Sequence, residues 1–174
     1  MKKLITLALA IFSLNLVAAT NLPTANYVEI ERYVGKWYTI TTLPQFFSLN
    51  CAGQTAEYEI VAPGKISVLN TCIKRSGKTR TIEGQAYVTN TLTNAELEVS
   101  FNSFFTRLFK VKGEYIIIKL DRDYEYVMVG SSNRKSLWIM SKSPKMPKKV
   151  LNSYIALAKK LGFKTNKLKA STKF

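Results

Sequence analysis

Between residues 37 and 141, apolar and polar side chains alternate in short runs, a pattern typical of half-buried β-strands. In one run Ala56, Tyr58 and Ile60 alternate with Glu57 and Glu59. Turn-forming residues separate successive runs, which favours a sandwich or a barrel. The pattern predicts eight strands, at residues 37–43, 55–61, 66–73, 81–88, 96–101, 115–120, 124–130 and 136–141.

The last part of the chain changes from this period to a helical one. A helix is predicted to begin at Pro147 and to end before Gly162. Its apolar face carries Val150, Leu151, Tyr154, Ile155, Ala158 and Leu161. A short last strand is expected within residues 166–170. The prediction is an all-β fold: an eight-stranded antiparallel up-and-down β-barrel, able to hold one small ligand, with one C-terminal α-helix packed outside.

Residues 1–19 read as a secretory signal peptide. Lys2 and Lys3 precede an apolar run, and Val17-Ala18-Ala19 offers small residues for cleavage. The run is too short to favour a membrane anchor. Residues 20–174 then form a single domain, periplasmic or extracellular. No cysteine directly follows the run, so lipid attachment at a signal-peptide cysteine is not expected.

Composition narrows the possible chemistry. The 174 residues include no His and two Cys, which removes Ser-His-Asp catalysis and Cys-only zinc sites. We expect no catalytic residues, no metal and no cofactor. In an exported chain, Cys51 and Cys72 are expected to form a disulfide, since they flank one predicted hairpin. Thiol catalysis is the alternative, although no His is present to activate the thiol.

The net charge of +15 is concentrated near the C-terminus, where residues 142–174 carry ten Lys and no Asp or Glu. Nucleic-acid binding is not expected, because the chain has no Arg-rich helix. A solvated face with a soluble tail, or contact with an anionic membrane surface, both fit this distribution. The sequence leaves open whether the protein is a monomer or a homodimer.

Four motifs occur in a fixed order along the chain. They are Gly35-Lys36-Trp37-Tyr38, Val68-Leu69-Asn70-Thr71-Cys72, Leu120-Asp121-Arg122-Asp123-Tyr124, and Leu137 to Pro144. Together with Ile82-Glu83-Gly84 and Gly162-Phe163, they resemble the lipocalin family from about Tyr27 to Leu168. Within it, the chain is similar to the group of bacterial lipocalins, apolipoprotein D and plant temperature-induced lipocalins.

The resemblance implies a closed barrel end formed by Gly35, Trp37, Asp121, Tyr124 and Lys142. In this family a Trp plugs that end and an Arg usually covers it. Here Lys142 stands in the Arg position, which keeps a cation over the ring but loses the planar fork.

Up-and-down topology places four loops at the opposite, open end. These loops interleave aromatic residues, such as Phe46, Phe47 and the run from Phe104 to Phe109, with cations. The predicted mouth cations are Arg75, Lys78, Arg107, Lys110, Arg134 and Lys135. They suit the anionic head of an amphiphile. Alternatively, the aromatic side chains pack together and close the mouth, or touch a membrane or a second copy.

Alternation also predicts a largely apolar cavity wall. Either face of the sixth strand could turn inward, and the prediction includes the face that carries Tyr115 and Ile117. The predicted ligand-binding residues are Ala56, Tyr58, Val68, Asn70, Ala86, Val88, Val99, Phe101, Tyr115, Ile117, Met128 and Trp138.

The expected function is therefore that of an exported lipocalin, not an enzyme. It would bind or carry a small hydrophobic or amphiphilic lipid, and the resemblance implies fatty acids or lysophospholipids, with a role in membrane lipid storage, transport or maintenance. Two alternatives remain at this stage: a lipocalin-fold enzyme acting on a lipid, and a secreted interaction protein that uses its basic C-terminal surface.

Overall fold

The computed structural model describes residues 21–45, 48–101 and 112–174. A short helix, α1 (Ile30–Tyr33), precedes the strands, and a longer helix, α2 (Lys148–Lys160), follows eight of them. The strands are β1 (Gly35–Thr42), β2 (Cys51–Ala62), β3 (Lys65–Lys74), β4 (Thr79–Val88), β5 (Glu96–Phe101), β6 (Lys112–Leu120), β7 (Tyr126–Gly130), β8 (Leu137–Ser141) and β9 (Lys169–Ala170). The predicted signal peptide, Phe46, Phe47 and the aromatic loop of residues 104–110 lie outside the described residues.

The first eight strands form a closed antiparallel barrel, as the sequence predicts. Consecutive strands pair in order from β2 to β8, and β1 pairs with both β8 and β2. Short connections match up-and-down topology. The β3–β4 and β7–β8 turns therefore lie at one end together with the strand ends at Thr42, Cys51, Phe101 and Lys112, and α1 lies at the other end.

Alternation along the strands separates two apolar clusters. One fills the barrel and includes Trp37, Tyr58, Val68, Ala86 and Val127. The other lies between the barrel wall and α2, where Tyr154 and Ala158 pack against Met128 and Ile139. The helix covers the outer face of β7 and β8, which explains why these strands are apolar on both faces.

The C-terminal tail closes a gap in the barrel wall. The register between β1 and β2 runs only from Gly35↔Tyr58 to Tyr38↔Thr55. Beyond it, β9 pairs with Thr41 and Thr42 of β1. Backbone N–H groups of Ser171 and Thr172 then donate to the carbonyl oxygens of Ile40 and Ala52, at 3.0 and 2.6 Å. The tail thus lies between the facing edges of β1 and β2 where these two strands no longer pair with each other, and it hydrogen-bonds to both.

Several element boundaries differ from the prediction. The first turn of helix at α1 was not predicted, and the predicted strand at 166–170 is a 3₁₀ turn at Thr165–Lys167 followed by the two-residue β9. Tyr124, placed in a strand by its pattern, has a φ of 62° and lies in the β6–β7 turn. Among the described residues, no helix is long and apolar enough to cross a membrane.

Candidate ligand-binding site

A cavity of about 1180 Å³ occupies the barrel between the open end and α1. Its volume exceeds the usual range for small-molecule pockets, which is roughly 300–1,000 Å³. Apolar side chains from β2, β3, β4, β5 and β8 form its wall, and polar side chains surround its opening. The barrel therefore encloses space for one ligand of lipid size.

The closed end is built around Trp37, which is fully buried. Its indole Nε1 donates to the carbonyl oxygen of Tyr33 at 2.8 Å, and the Lys142 ammonium lies 4.4 Å from its ring centre. Gly35 has a φ of 93°, which favours glycine, and a β-carbon added there would lie 3.5 Å from the Lys142 Nζ. Burial lowers the pKa of Lys142, and nearby Glu125 opposes this effect.

The β6–β7 turn adds Asp121 and Tyr124 to this end. The Tyr124 hydroxyl accepts a hydrogen bond from the backbone N–H of Glu29 at 2.9 Å. The Arg32 guanidinium covers the Tyr124 ring at 4.1 Å, and Asp121 accepts from the backbone of Asp123 at 3.1 Å. All five residues assigned to the closed end thus lie together around α1.

Just above the plug, three tyrosines meet at the deep end of the cavity. Tyr58 on β2 and Tyr115 on β6 reach inward from opposite walls, and their hydroxyl oxygens are 3.0 Å apart. The Tyr33 hydroxyl from α1 lies 2.6 Å from that of Tyr115. Burial raises the pKa of all three well above the ordinary value. These residues form a neutral polar floor.

Most of the predicted wall lines the cavity. The members that do so are Ala56, Tyr58, Val68, Asn70, Ala86, Val99, Phe101, Tyr115 and Trp138. The sixth strand turns its Tyr115 face inward, since Ile116 and Ile118 pack on the side of α2. Further lining residues follow the same alternation and could have been included: Ile66, Leu97 and Met140.

Three predicted wall residues lie elsewhere. Met128 faces α2, not the cavity, because Val127 and Val129 occupy the inward positions of β7. An apolar strand covered on both faces gives no signal for which side is inward. Ile117 belongs to the interior cluster and Val88 packs against it, but neither residue lines the cavity.

The rim of the cavity carries charges of both signs. Arg80 and Lys112 line it together with Glu83 and Glu114. The Lys112 ammonium forms an ion pair with Glu98 at 2.7 Å, and Glu114 accepts from the backbone N–H of Ser132 at 2.9 Å. The sequence analysis singled out neither Arg80 nor Lys112, which lie at the starts of β4 and β6, where the strands extend beyond the predicted ranges of 81–88 and 115–120.

The four predicted mouth cations within the described residues occupy open-end loops but do not line the cavity. Arg75 and Lys78 are exposed in the β3–β4 hairpin, and Lys135 is exposed in the β7–β8 turn. Arg134 is engaged elsewhere, because its guanidinium donates to the carbonyl oxygens of Leu161 and Ser132. It thereby satisfies the C-terminal end of α2. Arg107 and Lys110 lie outside the described residues.

The predicted disulfide between Cys51 and Cys72 is present, with 5.3 Å between the α-carbons. It joins the start of β2 to β3 beside the cavity opening, where both residues line the rim. Within the described part of the chain, no cluster of three or more Cys, Asp or Glu is arranged to hold a metal ion.

Comparison with known proteins agrees with this architecture. A relative from Vibrio cholerae, outer membrane lipoprotein Blc, is 36% identical over 142 residues, which cover 80% of this chain and 80% of that protein. Temperature-induced lipocalin-1 from Arabidopsis thaliana is 32% identical over 144 residues, covering 81% of this chain and 77% of that protein. Insecticyanin from the tobacco hornworm Manduca sexta has the same fold, with a TM-score of 0.68 at 17% identity over 89% of this chain and 85% of its own.

The family model for a lipocalin-like domain matches residues 28–173, which include the plug, every strand and α2. The motifs that suggested the family by resemblance all fall within this range. The chain belongs to the lipocalin family.

Proposed function

We propose that this protein is an exported carrier that binds single-chain amphiphiles in its barrel, with fatty acids and lysophospholipids as the ligand class. Its role would be the storage, transport or maintenance of membrane lipids. The observation that carries the proposal is the apolar-walled cavity of about 1180 Å³, open at one end. Membership in the lipocalin family supports it.

The cavity wall favours ligands through the burial of their apolar surface and does not select for a particular ligand shape. Ile66, Val68, Ala86, Leu97 and Val99 present aliphatic surface to the cavity. Each CH₂ group removed from water contributes about 0.8 kcal/mol, so an acyl chain gains affinity along its whole length. Few polar contacts are needed, and one cavity could accept several related chains.

The rim supports a head group at the opening. Arg80 and Lys112 offer positive charge and Glu83 and Glu114 negative charge, an arrangement suited to zwitterionic as well as anionic heads. The exposed loop cations Arg75, Lys78 and Lys135 add a longer-range positive field. Head-group selectivity should therefore be weak and salt-dependent.

Binding without catalysis is the simplest use of this site. Both cysteines are held in a disulfide, and the chain has no His. The two lining carboxylates, Glu83 and Glu114, are exposed at the rim and not buried beside an acyl chain. Acid–base chemistry on a buried lipid would need a titratable group at the reacting atom.

Displacement of a fluorescent fatty acid tests the proposal. Ala86→Trp places a large ring on the wall and should weaken palmitic acid, lysophosphatidylcholine and hexadecanol alike. Ala156→Trp, on the exposed face of α2, is the matched control and should leave all three affinities unchanged. Wild-type affinity in folded Ala86→Trp protein would show that the ligand binds outside the barrel.

A second pair of variants tests the loop cations. Changing Arg75, Lys78 and Lys135 to Gln should weaken palmitate more than hexadecanol, and salt should reduce the difference. The control changes Lys148, Lys149 and Lys160 of α2 to Gln and should not discriminate between the ligands. Equal losses for palmitate and hexadecanol in the loop variant would remove the head-group claim.

The charge distribution favours an anionic bilayer as the partner to which the ligand is delivered. Lys148, Lys149, Lys159 and Lys160 are exposed on α2, and residues 142–174 contain no acid. Polybasic surfaces gain about 1 kcal/mol per Lys or Arg near anionic lipid. Sedimentation should detect binding to phosphatidylglycerol vesicles at low salt and none to phosphatidylcholine vesicles.

That the exported chain carries no lipid on a cysteine stays a prediction, which metabolic labelling with an alkyne fatty acid would test.

A further inference from the structure

The three tyrosines at the deep end form a bar across the barrel. Tyr58 and Tyr115 come from β2 and β6, which are four strands apart in an eight-stranded barrel and so lie on opposite walls. Their rings meet edge to face, with centroids 6.1 Å apart, and the Tyr33 ring stacks on Tyr58 at 5.9 Å. The hydroxyls therefore meet near the barrel axis, where the end of a ligand would reach.

The plug holds this bar in place. The Tyr33 carbonyl accepts hydrogen bonds from the Trp37 indole at 2.8 Å and from the Lys142 ammonium at 3.2 Å. Tyr33 and Tyr58 are 2% and 6% exposed. Their position is thus fixed by packing before any ligand arrives, which lowers the entropic cost of a contact there.

One of the three tyrosine hydroxyl protons is not used in the hydrogen bonds among the tyrosines. Each neutral tyrosine supplies one O–H donor, and three oxygens joined by two hydrogen bonds use only two donors. Within the described residues, the three oxygens have no further hydrogen-bond partner. Because all three line the cavity, the remaining donor is available to a group that enters it.

The floor suits an uncharged oxygen. The three phenols stay protonated at neutral pH, since burial raises their pKa values. A carboxylate would be desolvated there with one neutral donor and no cation, which is unfavourable. A hydroxyl or carbonyl oxygen could accept the remaining proton, and a hydroxyl could also donate to a tyrosine oxygen.

From this geometry we infer that Tyr33, Tyr58 and Tyr115 form a deep subsite for a neutral oxygen at the far end of an acyl chain. The ligand class is then an amphiphile with a charged head at the rim and a terminal hydroxyl or carbonyl, such as an ω-hydroxy or ω-oxo fatty acid. The inference rests on the proposed function, because it needs an acyl chain inside the barrel.

The test compares palmitic acid with ω-hydroxypalmitic acid on three proteins: the wild type, the triple variant Tyr33→Phe, Tyr58→Phe, Tyr115→Phe, and the control Tyr87→Phe. Tyr87 is exposed on β4, where its hydroxyl donates to Gln85. The triple change removes every polar atom of the floor and keeps the ring shapes, so it can be close to neutral for folding.

The wild type and Tyr87→Phe should bind the two acids with similar affinity or favour the hydroxy acid. The triple variant should bind the hydroxy acid about tenfold or more weakly than palmitic acid, because the buried hydroxyl loses its partners. The same affinity ratio in the wild type and the triple variant would overturn the subsite while leaving fatty-acid binding intact. Failure of both acids to bind the wild type would overturn the proposed function as well.

A ligand series on the wild type keeps the inference testable if the triple variant does not fold. Moving the hydroxyl from the end of the palmitoyl chain to its middle places it against the aliphatic wall. The terminal isomer should then bind about tenfold more tightly than the mid-chain isomer. Equal affinities for the two isomers would contradict a polar floor.

Discussion

The Lys142 ammonium lies 4.4 Å above the ring of Trp37, and the same nitrogen donates to the carbonyl oxygens of Tyr33 and Val34. One cation therefore joins the end of β8 to the last turn of α1 and to the plug. Since Tyr33 also forms part of the cavity floor, the closed end and the binding site share a structural element.

Trp37→Ala should strongly destabilise the barrel. Removing a fully buried aromatic side chain from a packed site costs about 3–5 kcal/mol. Lys142→Arg should be neutral or stabilising, because a planar guanidinium keeps the charge over the ring and offers more donors to the two carbonyls. Denaturant midpoints measure both effects, and a wild-type midpoint for Trp37→Ala would show that the ring is not a plug.

The disulfide should contribute most of its effect through the unfolded chain. Cys51 and Cys72 close a loop with a sequence separation of 21, for which the chain-entropy model gives about 3 kcal/mol. Thiol titration of unreduced, denatured protein should find no free thiol. Relative to the oxidised wild type, the double variant Cys51→Ser, Cys72→Ser should be less stable by about this amount both with and without reductant. The wild type should show this loss only when it is reduced.

The tail that fills the β1–β2 gap should depend on Gly53. A β-carbon at this position would lie 1.7 Å from the carbonyl oxygen of Lys173, so Gly53→Ala must displace the tail. The lost hydrogen bonds should lower the free energy of unfolding by about 1–3 kcal/mol. Gly113→Ala is the control, since its added carbon meets no atom of the described residues nearer than the Val99 carbonyl oxygen at 3.9 Å.

A double-mutant cycle separates tail displacement from other effects of Gly53→Ala. In protein truncated after Leu168, the alanine has no tail to displace, so it should cost little further stability. Additive losses for the truncation and the substitution would mean that Gly53 acts through something other than the tail.

The sequence predicted the barrel and much of the wall because alternation is local information. Val68 and Asn70, or Val99 and Phe101, share a face whenever their strand is extended. The sequence wrongly placed Met128 in the cavity wall. Both faces of β7 are apolar because α2 covers its outer face, so alternation does not show which face is inward. Nor could it place Tyr33 or Arg134: the first turns inward through α1, and the second reaches a helix end distant in sequence.

High pH should unfold the protein through its buried tyrosines. Burial raises the pKa of Tyr33, Tyr58, Tyr115 and Tyr154 above the unfolded value of 10.0. Such groups contribute stability that is fully present below pH 10 and is lost as pH rises through the folded pKa. Lys142 has a lowered pKa in the folded protein, so its contribution to the free energy of unfolding rises with pH up to about 10.5. This single group opposes the effect of four tyrosines.

Denaturant unfolding at a series of pH values measures this dependence. The free energy should be nearly constant up to about pH 9 and then fall, each retained proton adding about 1.4 kcal/mol per pH unit to the slope. The triple Phe variant of the floor should show a shallower fall than Tyr87→Phe. Equal slopes for these two variants would mean that the floor tyrosines ionise in the folded protein.

Photochemical labelling tests most directly whether the acyl chain lies inside the barrel. A fatty acid with a diazirine at its tail end should, on irradiation, label peptides that carry the floor residues Tyr33, Tyr58 and Tyr115. Excess palmitic acid and the Ala86→Trp change should both suppress this labelling. Adducts concentrated at Met128 and Tyr154, between the barrel and α2, or undiminished labelling of folded Ala86→Trp protein, would contradict the account.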